Sequence, residues 1–133
     1  MRVIRAVREL NEEHGVDLRT IALFTDPDRT SSFVREADHA IPLGPATYED
    51  SPGQLRSTYL DYDRLKEAMV SSRADAAWVG WGFVAEDAAF AEICGRLGVT
   101  FVGPPPDVMR SLGDKIEAKR LARSVDFPIV PWS

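Results

Sequence analysis

Hydrophobic residues follow two patterns along this chain, a helical spacing and short continuous runs. In the helical stretches apolar residues recur three or four positions apart, as they do on one face of an amphipathic helix. This spacing predicts helices at 2–14, 32–37, 61–72, 86–97, 107–112 and 115–124. Continuous apolar runs between them predict short strands at 20–24, 40–43, 76–79 and 100–102. Strands that alternate with helices indicate an α/β fold, with a parallel sheet and helices on both of its faces.

Three parts of the pattern depart from a regular alternation. Residues 44–57 are rich in Gly, Pro, Ser and Thr and lack periodicity, so we expect a loop there. Residues 128–131 begin and end with proline, and we expect extended chain. The chain also opens on a helix, whereas α/β domains of the nucleotide-binding type normally open on a central strand. We therefore expect that a first strand, before Met1, is missing.

Size and composition describe one soluble globular domain. The chain has 133 residues, of which 44% are hydrophobic and 28% are charged. A net charge of −5, without a long run of Lys and Arg, argues against direct binding to nucleic acid. No apolar stretch approaches the about 18 residues of a membrane span, and the charged N-terminus is no signal peptide. The single cysteine fits a reducing compartment, so we expect a cytoplasmic protein.

Cysteine and histidine offer little chemistry in this sequence. Cys94 lies on the apolar face of the predicted helix 86–97, where we expect a small buried hydrophobe rather than a nucleophile. His14 and His39 have no Cys or His partner at the spacing of metal ligands. We therefore predict neither a catalytic side chain nor a metal site within this chain.

The tripeptide Gly113-Asp114-Lys115 joins the last two predicted helices. Gly113 is placed where a left-handed glycine ends a helix, and Asp114 where a carboxylate caps the next one. Lys115 then falls in a first helical turn, where the positive end of the helix dipole mildly opposes a cation. A bound anion would turn that opposition into attraction. Two interpretations stay open, a phosphate-binding lysine and a solvated surface lysine.

Several motifs occur in one order along the chain and carry a resemblance to a known family. The strongest are Gly80-Trp-Gly-Phe-Val-Ala-Glu86, Phe101-Val-Gly-Pro104 and Gly113-Asp-Lys115. With them the chain resembles the N-terminal domain of biotin carboxylase, from a biotin-dependent acyl-CoA carboxylase. In that family a strand and an Asn-Arg-Gly-Glu turn precede the first helix, and both are absent here. Residues that look more like the multidomain acetyl-CoA carboxylases than the bacterial form are Trp78, Val79, Trp81 and Pro131-Trp132-Ser133.

This resemblance implies a fold and a reaction. Residues 1–113 would form a Rossmann-like domain that precedes an ATP-grasp domain, and residues 114–133 would begin the connection into it. The family's enzymes join bicarbonate to the γ-phosphate of MgATP, and the carboxyphosphate that forms delivers CO2 to a nitrogen of biotin. The residues that hold Mg²⁺ and shuttle the proton belong to other domains. The 133-residue chain alone is therefore not expected to turn over.

The resemblance also implies the roles of individual residues. Lys115 would contact the phosphates of ATP. Gly80, Trp81 and Gly82 would line the biotin and bicarbonate side, since glycine lets a ligand approach the backbone at the carboxyl end of a strand. Glu86 matches a glutamate of the family. Two alternatives stay open: Trp81 as a packed core aromatic, and Glu86 as a helix-start carboxylate that the dipole favours.

The expected partners are the remaining biotin carboxylase domains, the biotin carboxyl carrier protein and the carboxyltransferase. A homodimer through the first helix is possible, with Arg5 and Glu9 at the contact; the alternative is an intrahelical surface pair at i, i+4. Two other functions stay open for the whole chain. One is the opening domain of another ATP-grasp ligase, such as a carbamoyl-phosphate synthetase or a purine-pathway carboxylase. The other is a non-catalytic interaction module or truncated paralogue.

Overall fold

The structure of the chain, a computed structural model, describes residues 1–51 and 53–128. The Pro131-Trp132-Ser133 motif and all but the first residue of the predicted extended segment 128–131 lie outside the described residues. The chain forms two compact units, Met1–Ala74 and Asp75–Ser133. None of the described helices is both long enough and apolar enough to cross a membrane.

The first unit is built on one pair of parallel strands. Its elements are α1 (Arg2–His14), β1 (Ile21–Thr25), α2 (Ser32–Glu36), β2 (His39–Gly44), β3 (Thr47–Glu49), β4 (Leu55–Ser57) and α3 (Tyr62–Ser72). Strand β1 pairs with β2 in parallel, with Ile21 opposite His39. The apolar positions that predicted these elements form the core of the unit: Ile4, Ala22, Phe24, Leu43, Leu65, Ala68 and Met69.

The prediction of a loop at 44–57 is wrong, because the segment contains the antiparallel hairpin β3–β4. Its turn is held by Asp50, whose carboxylate accepts the N–H of Gln54 at 2.8 Å and pairs with Arg56. Each strand has three residues, which is too short for a period-2 pattern to emerge. The turn-forming composition of the segment was therefore visible in the sequence, and its strands were not.

The second unit repeats the pairing of parallel strands on a smaller scale. Its elements are β5 (Ala76–Ala77), α4 (Ala88–Arg96), β6 (Thr100–Phe101), α5 (Pro106–Gly113) and α6 (Lys115–Ser124). Strand β5 pairs with β6 in parallel, with Ala76 opposite Thr100. The predicted strands 76–79 and 100–102 are present but shorter. The core of this unit consists of Val84, Phe90, Ala91, Ile93, Cys94 and Val99.

The structure corrects two expectations about the helices, one at the end of α5 and one on α1. Gly113 is the last residue of α5 and does not have a positive φ angle, so it does not end the helix in a left-handed conformation. Asp114 alone links α5 to α6, and it is the predicted N-cap. On α1, Arg5 and Glu9 are both exposed and form no ion pair with each other, so the alternative of an intrahelical surface pair is wrong.

Candidate functional site

The carboxyl ends of β5 and β6 bring two of the sequence motifs to one edge. Ala77 lies opposite Phe101 in the parallel register, and the N–H of Val102 donates to the carbonyl of Ala77 at 2.9 Å. The first motif, Gly80–Glu86, follows β5 after two residues, and Gly103 follows β6 directly after Val102. In open α/β sheets ligands bind at this edge, outside the carboxyl ends of parallel strands. The geometry therefore makes this edge the candidate site of the second unit.

At both strand ends an aromatic ring lies on the glycine two residues further along. The ring of Trp78 has atoms 3.2, 3.4 and 3.6 Å from the position that a Cβ would take on Gly80. The ring of Phe101 fills the space that a Cβ on Gly103 would need. A Cβ on Gly103 would overlap the Phe101 ring, whereas a Cβ on Gly80 would require the Trp78 ring to shift by a few tenths of an ångström. The sequence Aromatic-Val-Gly, which occurs at both strand ends, thus has a packing reason at its glycine.

The segment that carries Trp81 has an unusual backbone. Left-handed φ angles occur at Gly80 (67°), Gly82 (80°) and Phe83 (46°). Glycine adopts this conformation without the steric cost that other residues incur. The side chain of Trp81 is 91% exposed. The alternative of a packed core aromatic is therefore wrong for Trp81, whose ring is open to a ligand.

Glu86 lies just outside the helix that it was expected to start. Helix α4 begins at Ala88, and its cap is Asp87, whose carboxylate accepts the N–H groups of Ala89 at 2.9 Å and Phe90 at 3.2 Å. Glu86 precedes this cap and is exposed. The helix-start role therefore belongs to Asp87, and the carboxylate of Glu86 faces solvent on the segment that follows Trp81.

Lys115 is the first residue of α6, and the start of that helix is already capped. The carboxylate of Asp114 accepts the N–H of Ile116 at 2.7 Å and of Glu117 at 3.1 Å. This carboxylate offsets the helix dipole, so the dipole gives no separate reason for an anion there. Lys115 is exposed and, within residues 1–51 and 53–128, its ammonium group forms no hydrogen bond or ion pair. A phosphate would therefore bind its ammonium as a point charge, rather than the backbone of α6.

Sequence reasoning missed a polar cluster at the carboxyl end of β1 in the first unit. The hydroxyls of Tyr59 and Thr25 both donate to one oxygen of Asp28, at 2.7 and 2.9 Å. The N–H of Thr25 donates to the Tyr59 hydroxyl at 3.1 Å. Burial, with the nearby Asp28 carboxylate, raises the pKa of Tyr59. Asp28 and Tyr59 are 31 positions apart in the sequence, so spacing gave no sign of their contact.

Cys94 and the metal-ligating residue types form no further site among the described residues. Cys94 has no exposed surface, and burial raises the pKa of its thiol, so the prediction of a buried hydrophobe is confirmed. In the part of the chain that the structure describes, no three His, Cys, Asp or Glu residues lie close enough together to hold a metal ion.

Paired parallel strands with glycine turns at their carboxyl ends define the class, an α/β protein with its ligand edge at the strand termini. The family described as "Biotin carboxylase, N-terminal domain" matches residues 1–109, and the chain belongs to this family. The resemblance that the motifs carry is thereby confirmed.

Named relatives agree with this family. The chain is 37% identical over 130 residues to the alpha subunit of mitochondrial methylcrotonoyl-CoA carboxylase from Oryza sativa, covering 98% of this chain and 16% of that protein. It is 36% identical over 133 residues to biotin carboxylase 1 of Bacillus subtilis, covering 100% of this chain and 27% of that protein. The chain thus spans less than a third of the length of these curated relatives.

A solved structure supports the fold. The match is to one chain of the dimer of the biotin carboxylase domain of Hydrogenobacter thermophilus 2-oxoglutarate carboxylase, in complex with MgADP, ADP and bicarbonate. That chain superposes with a TM-score of 0.80. Its sequence is 32% identical, and the match covers 99% of this chain and 26% of that one. The predicted α/β fold class, with its parallel strands, is confirmed. The domain boundary at residue 113 stays a prediction.

Proposed function

We propose that this chain is the N-terminal part of a biotin carboxylase, which uses MgATP and bicarbonate to carboxylate biotin within an acyl-CoA carboxylase. The observation that carries the proposal is the edge at β5 and β6, where the family's Gly80–Glu86 motif presents an open aromatic ring between two glycines. Family membership over residues 1–109 supports it. So does the Hydrogenobacter thermophilus relative, whose structure holds MgADP and bicarbonate.

The proposal divides the work among few residues of this chain. Gly80 and Gly82 let a ligand approach the backbone, and Trp81 supplies an apolar surface for the biotin ring. Glu86 adds a solvent-facing carboxylate on the same segment. Lys115 binds the phosphates of ATP through its ammonium group. Bound ATP supplies the phosphoryl group that activates bicarbonate.

Other domains complete the proposed enzyme. Mg²⁺ prefers an octahedron of oxygens from carboxylates, phosphates and water, and we assign its protein ligands to those domains. We also propose the biotin carboxyl carrier protein and the carboxyltransferase as partners, and therefore no turnover by this chain alone. A homodimer through the exposed Arg5 and Glu9 of α1 stays a proposal, which the dimer of the Hydrogenobacter thermophilus domain favours.

Lys115→Ala tests the proposal in a chimera in which this chain replaces the matching segment of Bacillus subtilis biotin carboxylase 1. The unsubstituted chimera should hydrolyse ATP in a reaction that depends on bicarbonate and free biotin. A charge-assisted hydrogen bond contributes about 1.5–3 kcal/mol, so the substitution should raise the KM for ATP about ten- to a hundredfold. Steady-state kinetics with ATP as the varied substrate gives this value.

Lys66→Ala is the matched control, because it removes a lysine from another helix, where the side chain is paired with Asp63 at 2.6 Å. It should leave the KM for ATP unchanged. If Lys115→Ala also leaves that KM unchanged, the nucleotide role of Lys115 is wrong. A folded chimera without any biotin-dependent ATP hydrolysis would instead favour the non-catalytic interaction module.

A further inference from the structure

The composition of the segment around Trp81 leaves the direction of the Trp81 side chain loosely specified. A glycine flanks it on each side, and both glycines have left-handed φ angles, 67° and 80°. Glycine loses more conformational freedom on ordering than any other residue. A ring that is 91% exposed also receives little support from its own packing. The direction of the Trp81 side chain must therefore be set by contacts on the flanking residues.

On the C-terminal side, the segment is anchored to the core of the second unit. The N–H of Ala85 donates to the carbonyl of Gly82 at 2.9 Å. Val84, which precedes Ala85 in the sequence, is a core residue that is only 4% exposed. This anchor fixes Gly82 and leaves the other side of Trp81 to be held separately.

On the N-terminal side, the anchor is the indole of Trp78. Three atoms of its six-membered ring lie 3.2–3.6 Å from the Cβ position of Gly80. The corresponding pair at β6 has a structural role, since Phe101 also packs edge-on against the core residue Phe90, with the ring centroids 6.3 Å apart. Trp78 differs from Phe101 because 56% of its surface is exposed. The contact between Trp78 and Gly80 therefore lies at the surface of the unit.

We propose that Trp78 is a positioning residue, whose indole holds Gly80 and thereby directs the ring of Trp81 toward the ring system of biotin. This inference rests on the proposed function. Trp78 does not itself contact biotin. It reduces the conformational freedom that Trp81 would otherwise lose when the ligand binds, and such preorganisation favours binding.

A physical measurement tests the positioning without any reaction. In the 133-residue chain, Trp132→Phe combined with a change at Trp78 leaves Trp81 as the sole tryptophan. We compare Trp78→Tyr, which keeps a flat ring over Gly80, with Trp78→Ala, which removes it. Time-resolved fluorescence anisotropy should show a larger amplitude of fast local motion for Trp81 in the alanine variant, by about twofold. Far-UV circular dichroism confirms that both variants are folded.

Kinetics of the chimera test the consequence for biotin. Trp78→Ala should raise the KM for free biotin about three- to tenfold, the range expected when one side chain must be ordered on binding, and leave the KM for ATP unchanged. Trp78→Tyr should recover most of this loss. Phe127→Ala is the matched control, since it removes another exposed aromatic, 67% exposed, from the same unit and should change neither value.

Three outcomes would overturn the inference: equal local motion of Trp81 in the two variants, an unchanged KM for biotin in Trp78→Ala, or equal increases in both KM values. The last result would show a merely structural role. If the unsubstituted chimera lacks biotin-dependent activity, the proposed function fails, and the anisotropy pair alone decides whether Trp78 positions Trp81.

Discussion

Asp38 and Thr20 form a closed polar pair that links the start of β1 to the start of β2. One carboxylate oxygen of Asp38 accepts the N–H and the hydroxyl of Thr20, both at 2.7 Å. The Thr20 hydroxyl oxygen accepts the N–H of Asp38 at 3.1 Å. The backbone hydrogen bond from Thr20, followed by that of its hydroxyl, lowers the pKa of Asp38.

This pair predicts an acid-dependent part of the stability. Because the folded pKa is lowered, the stabilisation is present above the unfolded pKa of about 3.9 and is lost as the pH falls through the folded value. Asp38→Asn should therefore lower the free energy of unfolding at about pH 7 and have a smaller effect at about pH 3. Urea unfolding of both proteins at the two pH values measures the difference.

The control for this prediction is Asp17→Asn, since Asp17 has a side chain that is 82% exposed and touches Arg19 only at 3.4 Å. It should change the free energy of unfolding little at either pH. Equal destabilisation by Asp38→Asn at both pH values would show that the ionised form of Asp38 contributes nothing.

At the scale of single residues, the sequence predicted the role of a residue correctly where that role depends only on the residue and its neighbours in the chain. The cap at Asp114 and the burial of Cys94 are of this kind. The exposure of Trp81 is not, because a tryptophan beside an apolar strand packs inward or outward according to the backbone angles at Gly80 and Gly82. The contact between Asp28 and Tyr59 depends on the tertiary fold, and no local pattern contains it.

Among the elements, three helices share one kind of N-terminus. Asp61, Asp87 and Asp114 each accept two backbone N–H groups at the start of α3, α4 and α6. These bonds satisfy donors that a helix start otherwise leaves unpaired. The sequence identified only Asp114 in this role, since the starts of α3 and α4 were placed one or two residues too early.

Asp87→Ala should destabilise the chain, because α4 carries the buried residues Phe90, Ile93 and Cys94. Loss of such a cap costs about 0.5–2 kcal/mol, while asparagine keeps the accepting oxygen. Asp87→Asn should therefore retain most of the stability. The two free energies of unfolding, from urea titrations followed by circular dichroism, give the comparison. Equal losses in both variants would mean that the carboxylate acts by its charge and not as a cap.

Helices were easier to predict than strands for a physical reason. Each helix covers at least one full turn of the 3.6-residue period, so its apolar face repeats within the element. Strands β3 to β6 contain two or three residues each, and a period of two cannot be established over that length. The paired part of β5 ends before Trp78, where the backbone begins its turn toward Gly80.

At the scale of the molecule, every sheet in the described residues has two strands. Each strand therefore has one edge whose N–H and C=O groups lack a strand partner among those residues. Open edges of this kind pair readily with other strands. A sheet of two strands is also marginally stable on its own.

We predict that the isolated chain folds and self-associates through these open edges. Light scattering should show a mass that rises with concentration, and hydrogen exchange in β1 and β5 should be faster at low than at high concentration. The chain extended by the strand and Asn-Arg-Gly-Glu turn that the family resemblance places before α1 serves as the control, and should be better protected. A monodisperse monomer with both strands strongly protected would contradict the prediction.

The single cysteine of this chain reports how often the second unit opens. Cys94 has no exposed surface, so a thiol reagent in solution reaches it only after α4 has separated from its neighbours. The rate of its modification therefore measures the opening of the second unit. It does not depend on the opening of the first unit, which contains no cysteine. The chain thus reports the opening of one of its halves chemically, without an introduced label.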